Sequence, residues 1–157
     1  MDRRRPIPAI LYFVLCNFCV SDVYNGITLF SNVSDQSHTY LISNDHSFIN
    51  IWDHSSGIVG TPYLLTDRTI VVQLRSGTHY FGNSHGPIGG RFNRMDWDGN
   101  LLWDFSYHDY TYHPHHDFEP LPNGNILVLC WEKKTVQEAQ DFGRIDVINE
   151  MWPLKIV

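Results

Sequence analysis

Leu65-Thr66-Asp67-Arg68-Thr69-Ile70-Val71-Val72 and Leu121-Pro122-Asn123-Gly124-Asn125-Ile126-Leu127-Val128 decide the fold. Each joins a cluster of turn-forming residues to a β-branched apolar run, and the two stand about 56 residues apart. A second correspondence, about 53 residues apart, sets Gly90-Arg91-Phe92 and Met95-Asp96-Trp97 against Gly143-Arg144-Ile145 and Ile148-Asn149-Glu150. Between these matches, Asn44-Asp45 with Trp52 parallels Asp98-Gly99-Asn100 with Trp103, each a turn followed by a strand rich in large apolar residues.

Working outward, short β-branched and aromatic runs recur between turn signals at Thr39–Ser43, Phe48–Trp52, Thr69–Leu74, Phe92–Trp97, Leu101–Phe105 and Ile126–Trp131. No long helix-period stripe competes with them. Asp98-Gly99-Asn100 and Pro122-Asn123-Gly124-Asn125 tolerate positive φ, so tight turns can join antiparallel neighbours. A hairpin-bearing unit of this length, repeated, predicts an all-β chain built of β-propeller blades. At about 53 residues per unit the chain holds two to three antiparallel blades of a partial propeller. Trp52, Trp103 and Trp131 are expected as packing groups between blades.

The first residues read differently. Arg3, Arg4 and Arg5 precede an apolar run from Ile7 to Val20, and polar Ser21 and Asp22 follow at once. This layout predicts a secretory signal peptide over 1–21 and a mature domain over 22–157, located outside the cytoplasm, either secreted or periplasmic. The run is shorter than the roughly 20 apolar residues of a spanning helix, so a membrane enters only if the segment stays as an uncleaved anchor. Cys16 and Cys19 would leave with it, and Cys130, between Leu129 and Trp131, is expected as a small buried strand residue. With 18% charged residues, a net charge of -6 and no basic run after Arg5, the chain offers little to a nucleic-acid backbone.

The chemistry-bearing residues gather in Tyr112-His113-Pro114-His115-His116-Asp117-Phe118-Glu119, with His108 nearby and His85 in a Gly-rich stretch upstream. Imidazole serves as nucleophile, general acid or base, anion donor or metal ligand, so such density points to a site. With a strand starting near His115, alternation puts His115, Asp117 and Glu119 on one face and His116 and Phe118 on the other. One histidine of the pair is then packed against a backbone carbonyl and the other looks into the central channel. Asp117 is placed to orient an imidazole by accepting its N–H. Because adjacent strand residues point apart, His113, His115 and His116 make a poor zinc set, and no metal is expected.

His115-His116-Asp117-Phe118-Glu119-Pro120-Leu121-Pro122-Asn123-Gly124-Asn125, followed by Trp131-Glu132, resembles the HHD-x-E-x-LPNGN segment of the arylsulfotransferase family. Met95–Trp103 resembles the strand-turn-strand before it, and Gly143-Arg144 with Trp152–Val157 the entry to the next blade. The resemblance spans about residues 26–157 and is strongest over 89–135. It implies a six-bladed propeller that moves a sulfuryl group from a phenolic sulfate ester to another phenol through a sulfohistidine, with small aryl sulfates and phenols as partners and no cofactor. On this chain it implies His115, His116 and Asp117 as acid/base or sulfate-positioning groups, with His113 and Arg144 binding substrate. The family's nucleophilic histidine is not assigned to a residue here. Arg91, the repeat counterpart of Arg144, points instead to a structural role for that arginine. A non-catalytic secreted propeller that binds a partner is the alternative from a different class.

Overall fold

A computed structural model of the chain describes residues 24–32, 34–77 and 88–157. The expected signal segment 1–21 and His85 lie outside the described residues. The described chain is mostly β, arranged in three antiparallel sheets, none closed.

The first sheet is a meander of β1 (Ile27–Ser31), β2 (His38–Ser43) and β3 (Phe48–Asp53). The second has four strands in sequence order, β4 (Tyr63–Leu64), β5 (Ile70–Arg75), β6 (Gly90–Met95) and β7 (Leu101–Ser106). In the third, β9 (Ile126–Glu132) lies between β8 (Tyr112–Pro120) and β10 (Leu154–Ile156). The helix α1 (Val136–Asp141) sits between β9 and β10 and starts at a capping box. Thr135 Oγ1 accepts from Glu138 N–H at 3.2 Å while Glu138 Oε2 accepts from Thr135 N–H at 2.8 Å.

The repeat has a physical basis in four hairpin turns with one hydrogen-bond pattern. In residues 43–47, 65–69, 96–100 and 121–125 the first N–H donates to the fifth carbonyl, and the fourth N–H donates to the first carbonyl. The fourth residue, His46, Arg68, Gly99 or Gly124, has φ between 65° and 86° in the last three and 67° in the first. A left-handed residue after a tight turn is the geometry that matches strand twist in a three-residue hairpin. The bulges agree as well, since register slips between Leu41 and Ile42 in β2 and between Arg94 and Met95 in β6. Thus β2–β3 corresponds to β6–β7, and β4–β5 to β8–β9.

One expected match fails. Gly143-Arg144-Ile145 is not the counterpart of β6, because residues 142–150 form turns and irregular backbone after α1. The strand that pairs with β9 as β6 pairs with β5 is β10, whose Ile156 lies opposite Leu129 as Phe92 lies opposite Gln73. The inserted helix shifts the register of the repeat at this point.

The sheets stack face to face with the second in the middle. Every residue of β5 from Ile70 to Leu74 is buried, which a strand covered on both faces requires. Ile70, Val72 and Leu74 join Met95 and Ile58 against Leu41 and Trp52 of the first sheet. Val71 and Phe92 point the other way, into a cluster with Phe118, Val128 and Cys130 of the third. Trp52 is one of the packing groups expected: it crosses Trp97 edge-on at 5.6 Å and its Nε1–H donates to Asp96 O at 2.9 Å. Cys130 is fully buried as expected, and burial pushes its thiol up to about 12, away from nucleophilic use. No helix among the described residues is long and apolar enough to cross a membrane.

Candidate functional site

The histidine-rich segment lies on β8, which starts at Tyr112, earlier than alternation from His115 requires. Pairing with β9 runs Tyr112 to Glu132, His113 to Trp131 and Pro114 to Cys130, then resumes only at Phe118 opposite Val128. His115, His116 and Asp117 therefore form a wide bulge that faces Leu129 alone. The extra residues fit because His116 takes a left-handed conformation, φ 58°, uncommon for a side chain other than glycine.

The bulge overturns the alternation expected from sequence. His115 and Phe118 are buried while His116 and Asp117 are exposed, so His116 does not share the face of Phe118. His115 stacks on Trp131 with ring centroids 4.1 Å apart and the planes at 20°. Its main chain forms an isolated bridge with Ile88, next to the bond from Gly89 N–H to Pro114 O at 3.0 Å. Burial, with His116 as a smaller cause, pushes the His115 imidazole down to about 4, so it is neutral at physiological pH.

His115 Nδ1 and His116 Nδ1 are 2.7 Å apart, a hydrogen bond between two imidazoles set edge to face. A neutral imidazole has one donor and one acceptor nitrogen. In the tautomer in which His116 Nδ1–H donates, His115 Nδ1 is the acceptor and the lone pair of His116 lies on Nε2. The exposed imidazole then has a basic, nucleophilic nitrogen on an orientation set by its buried neighbour.

Asp117 does not perform the orienting role expected of it. Its Oδ1 accepts from Phe118 N–H at 2.9 Å and from Tyr63 Oη–H at 3.4 Å, which anchors the bulge to β4 rather than to an imidazole. Burial and the Asp117 and Glu119 carboxylates push the Tyr63 phenol up to about 12. His113 is fully buried in the β8–β9 pair, with the His108 ring 5.9 Å away. Arg144 stands apart from the histidines. It lines a recess of about 480 Å³ with Lys134, Ala139, Phe142, Met151 and Pro153. Its supposed counterpart Arg91 is a structural residue of the second sheet, holding Asp104 through Nε at 2.8 Å and a terminal nitrogen at 2.6 Å.

One residue expected only as a packing group, Trp131, and two that sequence reasoning passed over, Tyr63 and Gln73, shape the site. Trp131 supplies the stacking face, and Tyr63 holds Asp117. Gln73 is fully buried on β5, and neither its Oε1 nor its Nε2 makes a hydrogen bond among the described residues; the same holds for His115 Nε2. Gln73 neighbours the bulge through Gly60, where a Cβ would lie 2.0 Å from His116 O and 3.7 Å from Gln73 Oε1. A glutamine in an apolar run carries one sequence signal, the interruption of Ile70–Leu74 by a polar side chain. Among the described residues no three His, Cys, Asp or Glu side chains are grouped to hold a metal ion.

Compared with protein-family models and with curated proteins, the chain finds no match.

Proposed function

We propose that the chain is part of an arylsulfotransferase-like β-propeller in which the His115–His116 pair serves sulfuryl transfer between phenols. The observation that carries this reading is the pair itself: an exposed imidazole whose Nδ1 is fixed at 2.7 Å by a buried neighbour held neutral. The stacked antiparallel sheets and the recurring hairpins support the propeller, and the HHD-x-E-x-LPNGN resemblance supports the chemistry.

In the proposed reaction the sulfur of an aryl sulfate is attacked by an imidazole nitrogen. The N–S bond forms as the S–O(aryl) bond breaks, and the phenolate leaves with a proton from a general acid. In the second half an acceptor phenol loses its proton to a base, its oxygen bonds the sulfur, and the N–S bond breaks. His116, exposed on the bulge, is suited to the acid/base or sulfate-positioning role. His115 is a positioning residue acting through His116. The nucleophilic histidine is not assigned among the described residues.

The test is transfer from an aryl sulfate to a phenol by a protein carrying this segment with a complete ring of sheets. Turnover is expected there and not in the 157-residue chain by itself. His116→Ala and His115→Ala are expected to lower turnover by about 10² to 10⁴ per folded molecule. The burial of His115 against Trp131 favours a second reading, a binding module that keeps the motif for packing. That reading expects lower thermal stability with turnover intact, and unchanged turnover in both folded variants removes the pair from the reaction.

A further inference from the structure

The connection between β9 and β10, residues 133–153, folds into a small unit of its own. At its neck Lys134 and Met151 pair as an antiparallel bridge, each N–H donating to the other's carbonyl, at 2.8 and 2.9 Å. Beside the bridge Lys133 Nζ meets Glu150 Oε2 at 2.6 Å. At the far end α1 stops on Gly143, whose φ of 86° lets Gly143 N–H donate to Gln140 O at 2.8 Å and Arg144 N–H to Ala139 O at 3.0 Å. This helix end turns the chain back and sets Arg144 beside Ala139, the buried residue of α1.

Between the neck and the helix end lies the recess of about 480 Å³, within the roughly 300–1,000 Å³ of small-molecule sites. Its lining residues all belong to the connection, whereas the sheets cover one another chiefly through strand residues. The recess is therefore no part of a stacking face. Ala139, Phe142, Met151 and Pro153 make it apolar, and Lys134 and Arg144 add two cations with no carboxylate among them. Lys134 Nζ holds Glu132 Oε1 at 3.2 Å, but Lys155 Nζ takes the same oxygen at 3.1 Å, so one carboxylate is divided between two ammonium groups. Arg144 makes no ion pair among the described residues. An apolar recess with an unpaired guanidinium selects an apolar body with an anionic head. The Phe142 ring, 81% exposed, the guanidinium plane and the Met151 thioether each favour contact with a flat π system.

We infer that this recess is a binding site for a small aromatic monoanion, a ring carrying a sulfate or a carboxylate, with Arg144 on the head group and Phe142 and Met151 on the ring. The inference concerns binding alone and is separate from the chemistry proposed for His115 and His116.

Phenyl sulfate and benzoate, titrated into the 157-residue chain with amide shifts followed by NMR, are expected to bind with a Kd on the order of 1 mM or tighter. The shift changes are expected at 139–144 and at Met151, and the tighter of the two ligands identifies the head group. Phenol, which lacks the charge, and methyl sulfate, which lacks the ring, are expected to bind at least about tenfold more weakly. Arg144→Gln is expected to cost about tenfold in affinity and Phe142→Ala about three- to tenfold. Both side chains are exposed, so each variant is expected to keep the wild-type circular dichroism. No saturable shift by about 20 mM of either anion overturns the proposal. Unchanged affinity in Arg144→Gln, or phenol binding as tightly as phenyl sulfate, overturns it as well. Shift changes confined to His115–Phe118 place the anion on the histidines instead and also overturn it, whereas failure of sulfuryl transfer bears only on the histidine chemistry.

Discussion

Changing His115 to leucine tests the link between burial, neutrality and the bulge. In the folded chain burial holds this imidazole down to about 4, against an ordinary value of 6.5 that it regains on unfolding. Its folded pKa is depressed, so the stability tied to its neutral form is fully present above 6.5. That stability is lost as pH falls toward 4, because the unfolded chain binds a proton that the folded chain refuses. With those two values, falling from pH 7.5 to pH 5.0 costs about 2 kcal/mol, and the full loss below pH 4 is about 3 kcal/mol. Urea unfolding of wild type and His115→Leu at pH 7.5 and 5.0 isolates this contribution. His54, also pushed down to about 4 chiefly by burial, titrates alike in both proteins and cancels. Leucine is expected to lower stability at pH 7.5 through lost stacking on Trp131 and the lost bond to His116. The diagnostic is the pH dependence, which should be smaller in the variant by about 2 kcal/mol. Equal pH dependence in the two proteins, or a His115 imidazole titrating near 6.5 by NMR, refutes the reasoning.

Three further outcomes follow from the packing. Gly60→Ala combines a φ of 88° with a Cβ 2.0 Å from His116 O, so the bulge must move; amide shifts at His115–Asp117 are expected to change, with a stability loss of roughly 1–3 kcal/mol, and an unchanged spectrum there contradicts the contact. Phe118→Ala removes the ring that meets Phe92 at 5.4 Å and Tyr63 at 5.0 Å, and a loss of about 3–5 kcal/mol is expected in urea unfolding; a loss under about 1 kcal/mol means that the second and third sheets do not stack through it. Cys130 is expected to resist iodoacetamide at pH 8 in the folded chain and react in denaturant, read at that residue by peptide mass spectrometry; rapid modification when folded shows that the thiol is not buried.

Sequence alone determined the hairpins and their recurrence, because a three-residue turn is closed by hydrogen bonds within five residues and its left-handed position is served by local side chains. Asp67, Asp45 and Asn123 each accept from the N–H two residues on, an interaction written in the chain itself. The burial of β5 was likewise legible in Ile70–Leu74, an unbroken run apart from Gln73. The match of Arg144 to Arg91 went astray because α1 lengthens one connection, and local patterning cannot tell an insertion from a repeat. The site was decided by tertiary structure. Which of His115 and His116 is buried depends on how many residues of β8 stand opposite Leu129, and that is set by pairing across strands and by the close approach of Gly60. Alternation assumes a regular ladder, and three residues facing one break it. Trp131, Tyr63 and Gln73 reach the bulge from other strands, two of them from another sheet. Trp131 acts from the paired strand of the same sheet, while Tyr63 and Gln73 act through the stacking of one sheet on another, and no window of sequence contains such nonlocal contacts.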